Sequence, residues 1–76
     1  MQGKTRFTPT EAREIRELLA RKTRTSRDEQ KRLRQRIRKL GFYISDFQED
    51  SGAFSTADFD QLVSRKILII ISENDL

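Results

Sequence analysis

The sequence contains no cysteine and no histidine among its 76 residues. Without cysteine the chain can form no disulfide, and it has no thiolate to act as a nucleophile or a metal ligand. Without histidine it lacks the side chain that serves most often as a general base and as a metal ligand. These absences argue against catalysis, so we expect a binding protein that uses no cofactor and no metal.

Long hydrophobic runs are also absent. The longest one covers residues 67–71, five apolar residues, whereas a membrane-spanning helix needs about 20. Residues 1–7 lack the apolar stretch of a signal peptide. We therefore expect a soluble protein with a cytoplasmic location and no membrane partner.

The spacing of the acidic residues does not fit a calcium site. The cluster Asp46, Glu49 and Asp50 could begin a calcium loop only if the sixth residue were glycine and the twelfth glutamate. Counting from Asp46, these positions hold Ser51 and Ala57. We predict no catalytic, metal-binding or cofactor-binding residues, and we expect that the chain is not an enzyme.

Charge is distributed unevenly along the chain. Residues 1–41 hold fourteen Lys and Arg against five Asp and Glu, a net charge of +9. Residues 42–76 hold two basic and seven acidic residues, a net charge of −5. This asymmetry indicates either an acidic partner for the first half or attraction between the two halves.

A capping box marks the start of the first predicted helix. Thr8 is suited to the N-cap, Pro9 to the first helical position, and Glu11 to the acidic position of the box. Apolar residues then recur at helical spacing, namely Ala12, Ile15, Leu18 and Leu19. The pattern predicts a helix over residues 9–22.

A second helix is predicted over residues 27–40. Ser26 and Glu29 have the spacing of another capping box, and Gly41 stands where a left-handed residue ends a helix. Its apolar stripe is narrow and consists of Leu33, Ile37 and Leu40. The short connection between the two helices predicts an antiparallel helix hairpin.

The rest of the chain predicts a strand, a helix and a strand. Residues 42–47 are rich in aromatic and β-branched side chains, which favours a short strand. Ser55 and Asp58 form a third capping-box pattern and predict a helix over residues 56–65. The apolar residues 67–71 are typical of a strand covered on both faces.

Together these elements predict one small α+β domain over residues 1–76, in the order helix, helix, strand, helix, strand. We expect residues 1–7 to be a flexible basic arm and residues 8–41 to form the basic helix hairpin. That hairpin would pack against a two-stranded sheet formed by the strand–helix–strand unit of residues 42–71. Residues 72–76 would be an acidic tail.

The second predicted helix carries the clearest functional signal. Seven of the thirteen residues from 27 to 39 are Lys or Arg, and the planar arginine fork can donate two hydrogen bonds to one phosphate. We predict contact with a nucleic-acid backbone and little sequence specificity. The predicted binding residues are Lys31, Arg32, Arg34, Arg36, Arg38 and Lys39. We expect two sides of the helix to carry three cations each: Lys31, Arg34 and Arg38 on one, and Arg32, Arg36 and Lys39 on the other.

The same charge pattern has two alternative interpretations. The helix could simply be a highly charged, solvated element, stabilised by pairs such as Asp28 with Arg32. It could also belong to a protein–protein interaction module or a small regulator that docks an acidic partner protein.

Two further patterns concern aromatic and apolar residues. Phe42, Tyr43 and Phe47 could stack on bases, but in a chain with a thin core they are more simply core residues, with Tyr43 the one expected at the surface. Residues 67–71 have more apolar side chains than one face of a sheet can cover. A homodimer that shares this strand is therefore expected.

Overall fold

The computed structural model describes residues 2–48 and 53–71, so the predicted acidic tail of residues 72–76 lies outside the described residues. The elements follow in the order β1 (Arg6–Phe7), α1 (Pro9–Lys22), α2 (Arg27–Lys39), a 3-10 turn (Ile44–Asp46), α3 (Thr56–Ser64) and β2 (Ile69–Ile70). Three helices and a two-stranded sheet make this a small α+β domain, as predicted.

Helix α1 begins and ends at the predicted residues. The Thr8 hydroxyl accepts a hydrogen bond from the Glu11 backbone N–H at 3.1 Å, and the Glu11 carboxylate accepts one from the Thr8 N–H at 2.9 Å. Pro9 occupies the first helical position. A backbone N–H at this position would have no intrahelical acceptor, so proline costs the helix no hydrogen bond there. These short-range interactions explain why the sequence alone locates this helix.

Helix α2 ends in a Schellman motif centred on Gly41, which has a φ of +101°. The Gly41 N–H donates to the Arg38 carbonyl at 2.9 Å, and the Phe42 N–H donates to the Ile37 carbonyl at 3.3 Å. The motif reverses the chain direction and leaves Phe42 and Ile37 buried together in the core. Helices α1 and α2 share this core, and their antiparallel orientation stays a prediction.

The structure corrects the predicted element order at the N-terminus. Residues 1–7 were expected to be a flexible arm, but Arg6 and Phe7 form strand β1. Strand β1 pairs with β2 in parallel, with Arg6 opposite Ile69 and Phe7 opposite Ile70. Phe7 is fully buried. The pairing partner lies more than sixty positions away, so no local pattern marks these two residues as a strand.

The structure also corrects the predicted strand at residues 42–47. This segment contains a 3-10 turn, in which the Asp46 N–H bonds to the Tyr43 carbonyl at 3.1 Å and the Phe47 N–H bonds to the Ile44 carbonyl at 2.9 Å. The turn brings Phe47 back over Phe42. The composition favours a strand because aromatic residues favour strands, but here Phe42 lies in the core and Phe47 packs against it.

The segment before β1 is attached to the body of the domain by backbone hydrogen bonds. The Lys4 N–H donates to the Gly41 carbonyl at 2.9 Å. The Asp46 carboxylate accepts the N–H groups of Gln2 and Gly3 at 2.9 and 2.8 Å. These two bonds lower the pKa of Asp46 below its ordinary value, because both favour the charged carboxylate.

Phe42 lies at the centre of the hydrophobic core. Its ring centroid is 5.5 to 6.0 Å from the centroids of four other rings, those of Phe7, Phe47, Phe54 and Phe59. Edge-on and offset ring pairs at this separation add to the stability gained from burial. One side chain therefore joins β1 and α3 to the residue that follows the 3-10 turn and the residue that precedes the N-cap of α3.

Helix α3 ends one residue before the predicted end, and β2 is shorter than the predicted strand. The Asp58 carboxylate accepts the Ser55 N–H at 2.9 Å and the Ser55 hydroxyl at 3.1 Å, which secures the start of α3. In residues 67–71 only Leu68 is buried, at 1% exposure, whereas Ile67 and Ile69 are 42% and 43% exposed. Within the part of the chain that the structure describes, Ile67 and Ile69 are therefore left uncovered on one side of this apolar run.

No helix in the described part of the chain has both the length and the apolar character needed to cross a membrane.

Replacing Phe42 with alanine should remove about 3–5 kcal/mol from the free energy of unfolding, because the cavity would open among four other rings. Urea unfolding followed by circular dichroism measures this loss. Phe47→Ala is the matched control, since Phe47 is only half-buried at the edge of the same cluster. Equal losses in the two variants would contradict the central role of Phe42.

Neutralising Asp46 should change how stability depends on pH. A carboxyl whose pKa is lowered by folding stabilises the fold fully above its unfolded pKa, and this contribution is lost as the pH falls through the lowered pKa of the folded state. Asp46→Asn should therefore melt at a lower temperature than the wild type at neutral pH, and the difference should shrink as the solution is acidified.

Thermal melts from neutral to acidic pH test this expectation. Asp60→Asn is a suitable control, because the Asp60 carboxylate contacts only the exposed side chain of Arg16 among the described hydrogen-bond partners. The same pH profile in Asp46→Asn and wild type would show that the N-terminal segment is not held through this carboxylate.

Candidate nucleic-acid interface

Helix α2 is anchored by a narrow apolar stripe and exposes most of its circumference. Leu33 and Ile37 are its buried residues, one helical turn apart on the side that packs in the core. Ser26 secures its start, where the hydroxyl accepts the Glu29 N–H at 3.5 Å. Because so few positions face inward, nearly every cation of the helix faces away from the core.

The structure leaves most of the predicted binding residues at the surface. Arg34 is half-buried, whereas the other five side chains are exposed, namely Lys31, Arg32, Arg36, Arg38 and Lys39. We call these five residues and Arg34 the α2 cationic surface.

Three members of the α2 cationic surface lie around one shallow cavity. Lys31, Arg34 and Arg38 line a space of about 180 Å³ together with Gln35. These are the three cations expected on one side of the helix, at successive turns. The remaining cations, Arg32, Arg36 and Lys39, do not line this cavity.

The exposed cations of α2 are not neutralised by the part of the chain that the structure describes. Lys31, Arg32, Arg36, Arg38 and Lys39 form no ion pair with any residue in 2–48 or 53–71. The expected Asp28–Arg32 pair is likewise not formed. Among the described residues, no carboxylate therefore compensates the positive charge of these five side chains.

Among the described ion pairs, one joins the basic half of the chain (residues 1–41) to the acidic half (residues 42–76), and its basic member lies on α1. Arg16 contacts Asp60 at 3.2 Å, and both side chains are about half exposed. Lys4 contacts Glu11 at 2.9 Å within the basic half. Exposed pairs of this kind contribute little to stability, and neither of them involves α2.

The two glutamines of α2 have different environments. The Gln30 amide donates to the Lys22 and Thr25 carbonyls at 3.0 and 3.4 Å, so it closes the C-terminal end of α1. Gln35 is exposed and lines the same cavity as Lys31 and Arg38. Of the two amides that could read bases, only that of Gln35 faces the candidate interface.

The aromatic residues considered for base stacking separate in the structure. Phe42 is fully buried, and Phe47 is stacked on it with an interplanar angle of 16°. Tyr43 is half-buried, and the Arg38 guanidinium lies over its ring at 5.7 Å from the centroid. Only Tyr43 is thus placed beside the α2 cationic surface.

Lys22 is a buried cation that the sequence reading missed. It is fully buried at the end of α1, and its ammonium donates to the Phe54 carbonyl at 3.2 Å. The signal was present, because Lys22 lies four positions after Leu18 and seven after Ile15, on the apolar face of the helix. Its role is structural, and it does not belong to the candidate interface.

The described residues contain no group of three His, Cys, Asp or Glu side chains that could hold a metal ion. A larger cavity of about 610 Å³ lies between α1, the start of α3 and β2. Its lining mixes apolar side chains with cations and a carboxylate, and none of the predicted binding residues belongs to it. The lining residues are Pro9, Ala12, Arg13, Arg16, Glu17, Ala20, Thr56 and Ile70.

No protein family, no curated protein and no solved structure matches this chain.

Proposed function

We propose that this chain is a small nucleic-acid-binding domain that contacts the phosphate backbone through the α2 cationic surface. The observation that carries the proposal is the set of five exposed cations on one helix that form no ion pair with the described residues. The positive charges of this surface repel one another in the free protein. Phosphates would relieve that repulsion, and their bound counterions would be released.

The proposed binding has little sequence preference. Arginine and lysine contacts to phosphate fix the position of a protein on a nucleic acid but read no bases. The Gln30 amide is occupied by backbone carbonyls, which leaves Gln35 as the amide of α2 near the cations. Few side chains that could contact adenine edges are therefore placed beside the cations.

Removing three cations of α2 should weaken binding and make it less sensitive to salt. In the triple variant Arg32→Gln, Arg36→Gln and Lys39→Gln, the negative slope of log affinity against log salt should become shallower by about 2 to 3. Each phosphate contact contributes about 0.7 to 0.9 to the steepness of this slope. Fluorescence anisotropy with labelled single-stranded and duplex oligonucleotides at two salt concentrations measures both quantities.

A charge-matched control separates local binding from the effect of net charge. The variant Arg13→Gln, Arg21→Gln and Arg65→Gln removes the same number of charges outside α2 and should keep most of the affinity. Affinity no tighter than millimolar at low salt would reject the proposal. Binding to an acidic polypeptide but to no oligonucleotide would instead support the alternative of an acidic protein partner.

The exposed part of residues 67–71 supports a second proposed contact, a homodimer. Ile67 and Ile69 are 42% and 43% exposed although they flank the buried Leu68, and exposed apolar residues beside a strand edge favour pairing with another chain. A dimer would also double the cationic surface and strengthen weak phosphate contacts.

Sedimentation equilibrium at micromolar concentration should give about twice the monomer mass of 9.0 kDa. Ile69→Lys should return the mass to that of the monomer without unfolding the domain, because this side chain lies outside the core. Ile70→Lys should destabilise the fold itself, since Ile70 packs against the core. A wild-type mass of 9.0 kDa would refute the dimer.

A further inference from the structure

Tyr43 differs from the other aromatic residues of its segment because it faces away from the core. Its neighbours Phe42 and Ile44 are buried, whereas Tyr43 is half-buried. Its backbone is extended, with φ −112° and ψ 108°, and side chains alternate in direction along an extended chain. Burying the two neighbours therefore places the Tyr43 ring at the surface.

Arg38 links this ring to the α2 cationic surface. Its guanidinium lies over the Tyr43 ring at 5.7 Å from the centroid, and the side chain remains exposed. A guanidinium held over an aromatic ring is partly immobilised before any ligand binds. Because the group is planar and exposed, it can take a second planar group by stacking.

The N-terminal segment fixes the Tyr43 ring from another side. Gly3 lies so close that a β-carbon there would be 2.9 Å from Cδ1 of Tyr43 and 2.6 Å from the Gly41 carbonyl oxygen. The Gly3 N–H is in turn held by the Asp46 carboxylate at 2.8 Å. The ring is thus positioned by the folded chain, which lowers the entropy that stacking would cost.

The same arginine also lines the cavity that it shares with Lys31, Arg34 and Gln35. A stacking group and a set of phosphate-binding cations are therefore contiguous on the surface. In a single strand, an unpaired base and its neighbouring phosphates can occupy both features together. A duplex keeps its bases stacked inside the helix and can use only the cations.

We infer that the α2 cationic surface and Tyr43 form a site for single-stranded nucleic acid, in which a base stacks on Arg38 and phosphates bind at Lys31 and the other exposed cations of α2. This inference rests on the proposed function of α2 and adds a preference for unpaired strands. The contacts require no particular base, in keeping with low sequence specificity.

Intrinsic fluorescence gives a direct test, because the chain contains one tyrosine and no tryptophan. Tyr43 emission should be quenched when the protein is titrated with an oligothymidylate or oligouridylate of about ten nucleotides, since site sizes of 4 to 16 are usual. An abasic strand of equal length should bind through its phosphates without this quenching. Tighter binding of the ribose or the deoxyribose strand assigns the site to RNA or DNA.

Arg38→Lys separates stacking from charge, because it keeps the cation and removes the planar group. Its affinity for the base-bearing strand should fall about ten-fold, in the range usual for one stacked base, whereas its affinity for the abasic strand should not change. Arg21→Lys, at an exposed position of α1 outside the α2 cationic surface, is the matched control and should bind both strands as the wild type does.

The outcomes separate this inference from the proposed function. Equal affinity for single strand and duplex, unquenched Tyr43 at saturation, or the same result for Arg38→Lys and Arg21→Lys would overturn the stacking site and leave backbone binding by α2 intact. Absence of binding to every oligonucleotide at low salt would overturn both.

Discussion

The packing of Phe42 against four other phenylalanine rings is the interaction on which the rest of the domain depends. Phe7 enters this cluster from β1, Phe59 from α3, and Phe54 from the position just before the N-cap of α3. A chain of this length buries a modest fraction of its surface, and it has no disulfide to compensate. The central ring therefore joins elements that are distant in sequence, and Gly41 places it there by ending α2 immediately before it.

This arrangement explains how the domain tolerates a helix as highly charged as α2. Leu33 and Ile37 are the buried residues of the helix, so α2 adds little apolar surface to the core. Most of the apolar surface buried in the core belongs to the aromatic cluster and α1. Cations that form no ion pair with described residues raise the energy of the folded state through mutual repulsion. A surface kept at that cost is more readily explained by an anionic partner than by stability, which is the physical basis for the proposed binding.

Local features of the fold could be read from the sequence, whereas pairings between distant segments could not. The Thr8–Glu11 capping box and the Gly41 terminus involve residues within five positions of each other, so composition and spacing determine them. Strand β1 depends on β2, and the 3-10 turn depends on where the Phe42 ring must lie. The local pattern therefore predicts an arm over residues 1–7 and a strand over residues 42–47, and both predictions are wrong.

Some features of the candidate site likewise follow from the sequence, and others follow only from the tertiary structure. The sequence by itself determined that α2 is a helix with a narrow apolar stripe and therefore carries its cations outward, since the helical period fixes which side chains share a face. Only the tertiary structure decided that Gln30 is used to join the helices, that Lys22 is buried, and that Arg38 lies over Tyr43. These facts depend on which segments pack together, and packing between segments distant in sequence is a property of the whole fold.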